Sequence, residues 1–200
     1  MNNDVCRPLL LTDEVLGLPS CHVCGNGPAG VVPGREGLRY ALTVPLWDDQ
    51  TRYLSLFLPK EEDMRAMSGR WQSGGIAAVL HGALSRSATP TTPICEHTAH
   101  GIVLEEHGPD VDEVEPGVFE KRHGSKLGGR PAFNRLTNNV DREFERLESE
   151  GFRFLLQLDW PTLAEDATQV PKGWWPFGDS TFFLAVRTEP ALEIRWLWQL

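Results

Sequence analysis

The 200-residue chain reads as an α+β protein, with curved antiparallel sheets and a few packed helices. Three observations predict this. Phe152, Phe154, Leu156 and Leu158 alternate with Arg153, Gln157 and Asp159, a period of two that places each set on one face of a strand. Ile194, Trp196, Trp198 and Leu200 alternate in the same way with Glu193, Arg195 and Gln199. Between Asn139 and Glu150 the spacing changes: Val140, Phe144 and Leu147 share one face of a helix.

Taken in order, Met1 to Pro19 reads as an irregular or short helical lead-in. The next stretch, CHVCGNGPAGVVPG over Cys21 to Gly34, is dense in Gly and Pro and predicts turns. Residues 1–37 thus form a Cys/Gly/Pro-rich segment at the start of a single domain spanning 1–200. Leu38–Leu46 and Tyr53–Leu58 predict two strands of a hairpin turning at Asp48, Asp49 and Gln50. Pro59–Gly69 carries a helix signature, with Pro ahead of acidic residues that suit the positive end of a helix dipole. Gly75–Leu84 fits either strand or helix, and His100–Glu106 fits a strand. Glu105 to Glu120 predicts an acidic loop, because Pro109, Pro116 and two glycines break any regular element. Asn138 or Asn139 can cap the helix that follows, and Gly151 can end it. Pro161–Asp179 predicts a loop, and the run GDSTFFLAV, which ends at Val186, a further strand. The pair of strands over 38–58 and the strands over 152–186 hint at an internally duplicated unit.

The order of Ser125–Pro131 (SKLGGRP), Phe154–Asp159 (FLLQLD), Gly178–Phe183 (GDSTFF) and Arg195–Gln199 (RWLWQ) resembles the YwqG-like family of bacterial proteins. The similarity covers about the last third of the chain. It implies curved antiparallel sheets in an α+β fold. It brings no catalytic residues to transfer.

Composition narrows the function. A hydrophobic content of 40% with seven Trp supports a sizeable core. No apolar run approaches the ~20 residues that cross a bilayer, and the first residues lack a secretory pattern; both point to the cytoplasm. A formal net charge of −9 makes nucleic acid and anionic membranes poor partners and a basic protein surface a better one.

The chemistry-bearing residues are few. Cys21 and Cys24 have the two-residue gap of a zinc knuckle. Cys95 with His97 or His100 could complete a four-ligand zinc site; free or buried cysteines are the competing reading. Cys95 beside His97 or His100 could in principle be nucleophilic, as in a Cys/His hydrolase, but residues so close on an extended segment match poorly in direction. No GxSxG, P-loop or HExxH motif is present. Gly128-Gly129 reads as a turn, and His81, in an apolar run, as a hydrogen-bonded core histidine. Trp174 and Trp175 either pack on the core or anchor a partner.

The reading that best joins these features is a non-enzymatic binding protein. Proteins resembling the YwqG-like family occur beside polymorphic and type VI toxins, so the resemblance implies an immunity protein that neutralises a cognate toxin. Its expected contacts are Glu105, Glu106, Asp110, Asp112, Glu113 and Glu115, with Trp174 and Trp175. The alternative is a housekeeping or regulatory protein with structural zinc.

Overall fold

The computed structural model describes residues 5–12, 21–23, 28, 30–47, 49–59, 68–82, 100–104, 106, 108–109, 113–115, 118–119, 124–133, 139–159 and 180–199. Within them the chain is almost entirely β. The first half holds β1 (Val5–Thr12), β2 (Cys21–Val23), β3 (Arg39–Leu46), β4 (Asp49–Leu58) and β5 (Ala77–Gly82). Then come β6 (His100–Leu104), β7 (Gly108–Pro109), β8 (Glu113–Glu115), β9 (Val118–Phe119) and β10 (Lys126–Gly128). One helix, α1 (Val140–Ser149), precedes β11 (Arg153–Asp159), β12 (Thr181–Arg187) and β13 (Glu193–Gln199). Strands β8 and β9 form a small sheet of their own. All the others belong to one 11-stranded antiparallel sheet, in the order β13-β12-β11-β10-β1-β6-β2-β3-β4-β5, with β7 also on β1.

This corrects the expectation of an α+β fold with several packed helices: α1 is the one helix among the described residues. The physical reason lies in what precedes each long meander. Before β11 the sequence offers ten helix-compatible residues whose Val140, Phe144 and Leu147 are buried. Before β3 it offers Pro33, Gly34 and Gly37, which do not sustain a helix; there the chain is irregular, and Val31 and Leu38 pack against Tyr40 and Phe57. The Pro59–Gly69 helix signature falls mostly, and the Pro161–Asp179 loop wholly, outside the described residues.

Strand pairing in the second half repeats that of the first. Thr43 lies between His22 and Ser55, as Gln157 lies between Lys126 and Phe183. The register slips between Tyr40 and Leu42 in β3, and between Phe154 and Leu156 in β11. Gly37 and Gly151, two residues before these strands, both adopt positive φ, 81° and 87°. The first strand of each half is exchanged. Strand β1 takes β10 of the second half, and β6 takes β2 of the first. The two then pair antiparallel with each other, Leu10 opposite Val103 and Leu9 opposite Leu104 as Leu11 is opposite Ile102. That pattern has a local two-fold axis at Leu10 and Val103.

Residues 5–12 are therefore a central strand rather than an irregular lead-in, and Cys21–Val23 pairs on both sides rather than forming turns. A Pro in a central strand removes a ladder donor. The Leu9 amide donates to the Ser125 carbonyl on the β10 side, 2.9 Å, so the Pro8 nitrogen faces the β6–β7 side. On that side the ladder loses register: two residues separate Cys6 from Leu9, three separate Gly108 from Leu104.

The sheet curls over one apolar core drawn from both halves: Leu42, Val44, Leu54 and Leu56 meet Leu156, Phe182, Trp196 and Trp198. Two clamps hold it. The Trp47 indole donates to the Phe154 carbonyl at 2.9 Å, with the Arg153 guanidinium 4.3 Å from its ring centre. Residues ahead of β5 add to the free edge of β13, where Gln72 and Trp196 exchange backbone bonds of 2.8 and 3.1 Å. On the other face of the second half, α1 packs on Phe152, Phe154, Phe183, Ala185 and Leu197.

Candidate functional site

The outer face of β3, β4 and β5 carries a row of polar groups. Period two puts Tyr53, Ser55 and Phe57 of β4 on one face, and Ser55 lies between Thr43 of β3 and Val79 of β5. The Tyr40 hydroxyl is 2.8 Å from Thr43 Oγ1, Thr43 Oγ1 is 2.8 Å from Ser55 Oγ, and Ser55 Oγ is 2.8 Å from His81 Nε2. His81 Nδ1 lies 2.7 Å from the Gly82 carbonyl, and the ring stacks on Tyr53. A carbonyl only accepts, so Nδ1 carries the proton and Nε2 of the neutral ring accepts. The chain then has one direction: Tyr40 donates to Thr43, Thr43 to Ser55, Ser55 to His81.

Burial pushes the His81 imidazole below its ordinary value, and the bond to Gly82 opposes this only in part. The neutral ring is the form that the hydroxyl chain requires. A Ser hydroxyl donating to a histidine is also the start of a nucleophilic dyad. Ser55, however, is fully buried in the middle of a strand paired on both edges. A nucleophilic Ser is presented on a sharp turn beside spare backbone N–H groups. The row therefore satisfies buried hydroxyls, and His81 is the hydrogen-bonded histidine its apolar surroundings predict.

The second half places amide and cationic groups at matching positions. Gln157 accepts from the Ala132 amide at 2.9 Å and donates to the Gly124 carbonyl at 2.8 Å. Ser125 Oγ donates to the Asp159 carbonyl and accepts from its amide, 3.1 and 2.8 Å. Lys126, opposite Gln157, is fully buried. These bonds fix the segment entering β10 and the one leaving it, where Gly128 and Gly129 both take positive φ; the sequence marks the Gly-Gly turn but not the buried lysine, which periodicity does not reveal.

Of the predicted zinc ligands, Cys21 lies in β2 and His100 opens β6. The two strands are neighbours, with Val23 opposite His100. Cys24, Cys95 and His97 lie outside the described residues. Among the described residues no group of three His, Cys, Asp or Glu side chains gathers into a metal site. Cys6 is buried.

Of the predicted partner contacts, Glu106 is exposed, and Glu113 and Glu115 lie in β8. Glu105, Asp110, Asp112, Trp174 and Trp175 lie outside the described residues. The acidic stretch carries more order than a loop: Gly108 and Pro109 pair with Cys6 and Val5 of β1, and Glu113 pairs with Phe119. Short strands of two or three residues fall below what periodicity can detect.

No family model matches this chain, and no curated protein or solved structure matches it. No helix among the described residues is long and apolar enough to cross a membrane.

Proposed function

We propose that this chain is a cytoplasmic, non-enzymatic binding protein. More narrowly, it is an immunity protein that neutralises a type VI-like toxin by direct contact, the role implied by its YwqG-like resemblance. One observation carries the reading. Within the acidic stretch, Gly108 and Pro109 pair with the central strand β1, and Glu113 and Glu115 lie in the β8–β9 pair. Carboxylates on an anchored framework lose little freedom on binding, and a net charge of −9 steers a basic partner toward them.

The test is co-expression with the toxin encoded nearby. Neutralising Asp110→Asn, Asp112→Asn and Glu113→Gln together should slow association at low salt about tenfold or more and flatten its salt dependence. Protection should fall, while the melting temperature stays put. Unchanged protection with an unchanged rate removes this stretch from the interface.

A structural zinc centre is a second reading, favoured by the placement of Cys21 and His100 on adjacent paired strands. Its ligands would be Cys21, Cys24, Cys95 and His97 or His100. Binding energy at such a centre is folding energy. Cys21→Ser should then lower metal content and melting temperature together. Purified protein with substoichiometric metal and four modifiable cysteines rejects it.

A further inference from the structure

The repeated pairing makes the two outermost strands counterparts. Ala78 lies opposite Leu56 in β5 as Trp196 lies opposite Leu184 in β13. Both Ala78 and Trp196 face the shared core, as do Leu80 and Trp198. In a strand, side-chain face and chain direction together fix the side to which each N–H and C=O points. Trp196 and Trp198 turn theirs outward, and the chain itself covers them: Gln72 bonds both groups of Trp196, and the Gly69 amide bonds the Trp198 carbonyl at 2.8 Å. The outward groups of β5 are therefore those of Ala78 and Leu80. Among the described residues β5 has a paired neighbour only on its β4 side.

Side-chain burial follows the same division. Trp196, Leu197 and Trp198 are buried, whereas Ala77, Ala78, Val79 and Leu80 are all only half-buried. Edge strands of monomers are guarded by charges, prolines or bulges. The sequence of β5, AAVLHG, contains neither a charged residue nor a proline, and its ladder to β4 is regular.

We propose that β5 pairs antiparallel with β5 of a second copy of this chain, joining two sheets across a two-fold axis at Val79. The outward groups select the register. Ala78 and Leu80 exchange bonds with Leu80 and Ala78 of the other copy, which places the two Val79 residues directly opposite, in the non-hydrogen-bonded position. An isologous contact of this kind closes on itself as a dimer. A second copy suits the edge better than a charged partner. Self-pairing sets Ala, Val and Leu against one another with no like charges opposed, and β5 offers no carboxylate to a basic protein.

The test is oligomeric state by sedimentation, with three variants. Wild-type protein should sediment as a dimer at tens of micromolar. Val79→Lys and Val79→Glu should each be monomeric, because like charges then meet across the axis, and an equimolar mixture of the two should dimerise again. That recovery separates repulsion from misfolding. Val79→Cys should oxidise to a disulfide-linked dimer mapped to position 79, since Cα atoms in a non-hydrogen-bonded pair lie about 4.5 Å apart, within disulfide reach. A wild-type monomer at 100 micromolar overturns the proposal. So does a dimer that survives Val79→Lys or whose Val79→Cys form fails to cross-link at that position.

Discussion

His81 joins a buried hydroxyl chain to the surface, and its protonation state decides whether that chain keeps its direction. Its folded value is lowered, so the unfolded chain binds the proton more readily. Stability rises with pH wherever the unfolded state holds more protons. The contribution of His81 is therefore complete above about pH 6.5, the unfolded value, and is lost as pH falls from there through the lowered folded value. His81→Gln should flatten urea-derived stability over this window relative to wild type. Equal slopes in the two proteins would show that the imidazole is not responsible. A second residue-level pair isolates backbone conformation. Gly37 and Gly151 have positive φ ahead of β3 and β11. An added Cβ would meet nothing at Gly37 and only Arg187 Cδ at 3.6 Å at Gly151. Replacing either with Ala should cost about 1–2 kcal/mol, the penalty of the left-handed conformation alone. Unfolding curves for the two variants check this; a much larger loss at one would reveal a steric term.

Among elements, α1 is where sequence and structure agree most closely. Its spacing named Val140, Phe144 and Leu147, and these are the buried residues. Gly151 ends it as predicted, with the Phe152 amide donating to the Leu147 carbonyl at 3.0 Å and Arg187 donating to the Glu150 carbonyl at 2.9 Å. Phe144 packs on Trp71, Phe133 and Phe154. Phe144→Ala should therefore lower unfolding free energy by about 3–5 kcal/mol in urea titrations; a loss below about 1 kcal/mol would mean that α1 is dispensable to the fold. The strands were legible to a lesser depth. Alternation predicted one face for Phe152, Phe154, Leu156 and Leu158, yet the slip between Phe154 and Leu156 divides them: the first two meet α1 and the last two enter the shared core. A bulge inserts a residue without a compositional mark when, as at Leu155, the inserted residue is itself apolar. Strand β1 was missed because VCRPLLLT shows no period of two, and a Pro within a run argues against a central strand. The candidate site was legible only as single residues: His81 stood out, but the partners Tyr40, Thr43 and Ser55 come from strands whose register no local pattern encodes.

At the scale of the molecule, the duplication has a sequence trace in Gly37-Leu38-Arg39-Tyr40-Ala41-Leu42 and Gly151-Phe152-Arg153-Phe154-Leu155-Leu156. Position by position the two share Gly, Arg and Leu, with an apolar or aromatic residue between. This trace is short because each half has adapted its outer face differently, with hydroxyls and His81 in the first and aromatic residues under α1 in the second. Duplication would ordinarily suggest two units able to fold alone. The exchange of first strands argues otherwise. Without the second half, β2 loses β6 and β1 loses both β6 and β10; without the first, β10 loses β1. The core is also shared, so either half alone would expose the inward faces of its strands. A single cooperative transition should therefore appear in urea, with coincident midpoints by far-ultraviolet circular dichroism and Trp fluorescence. Chains 1–92 and 93–200 should each fail to fold alone and recover the native spectrum when co-expressed. Two separated transitions, or a fragment that melts cooperatively alone, would show that the exchanged strands are not what unites the halves.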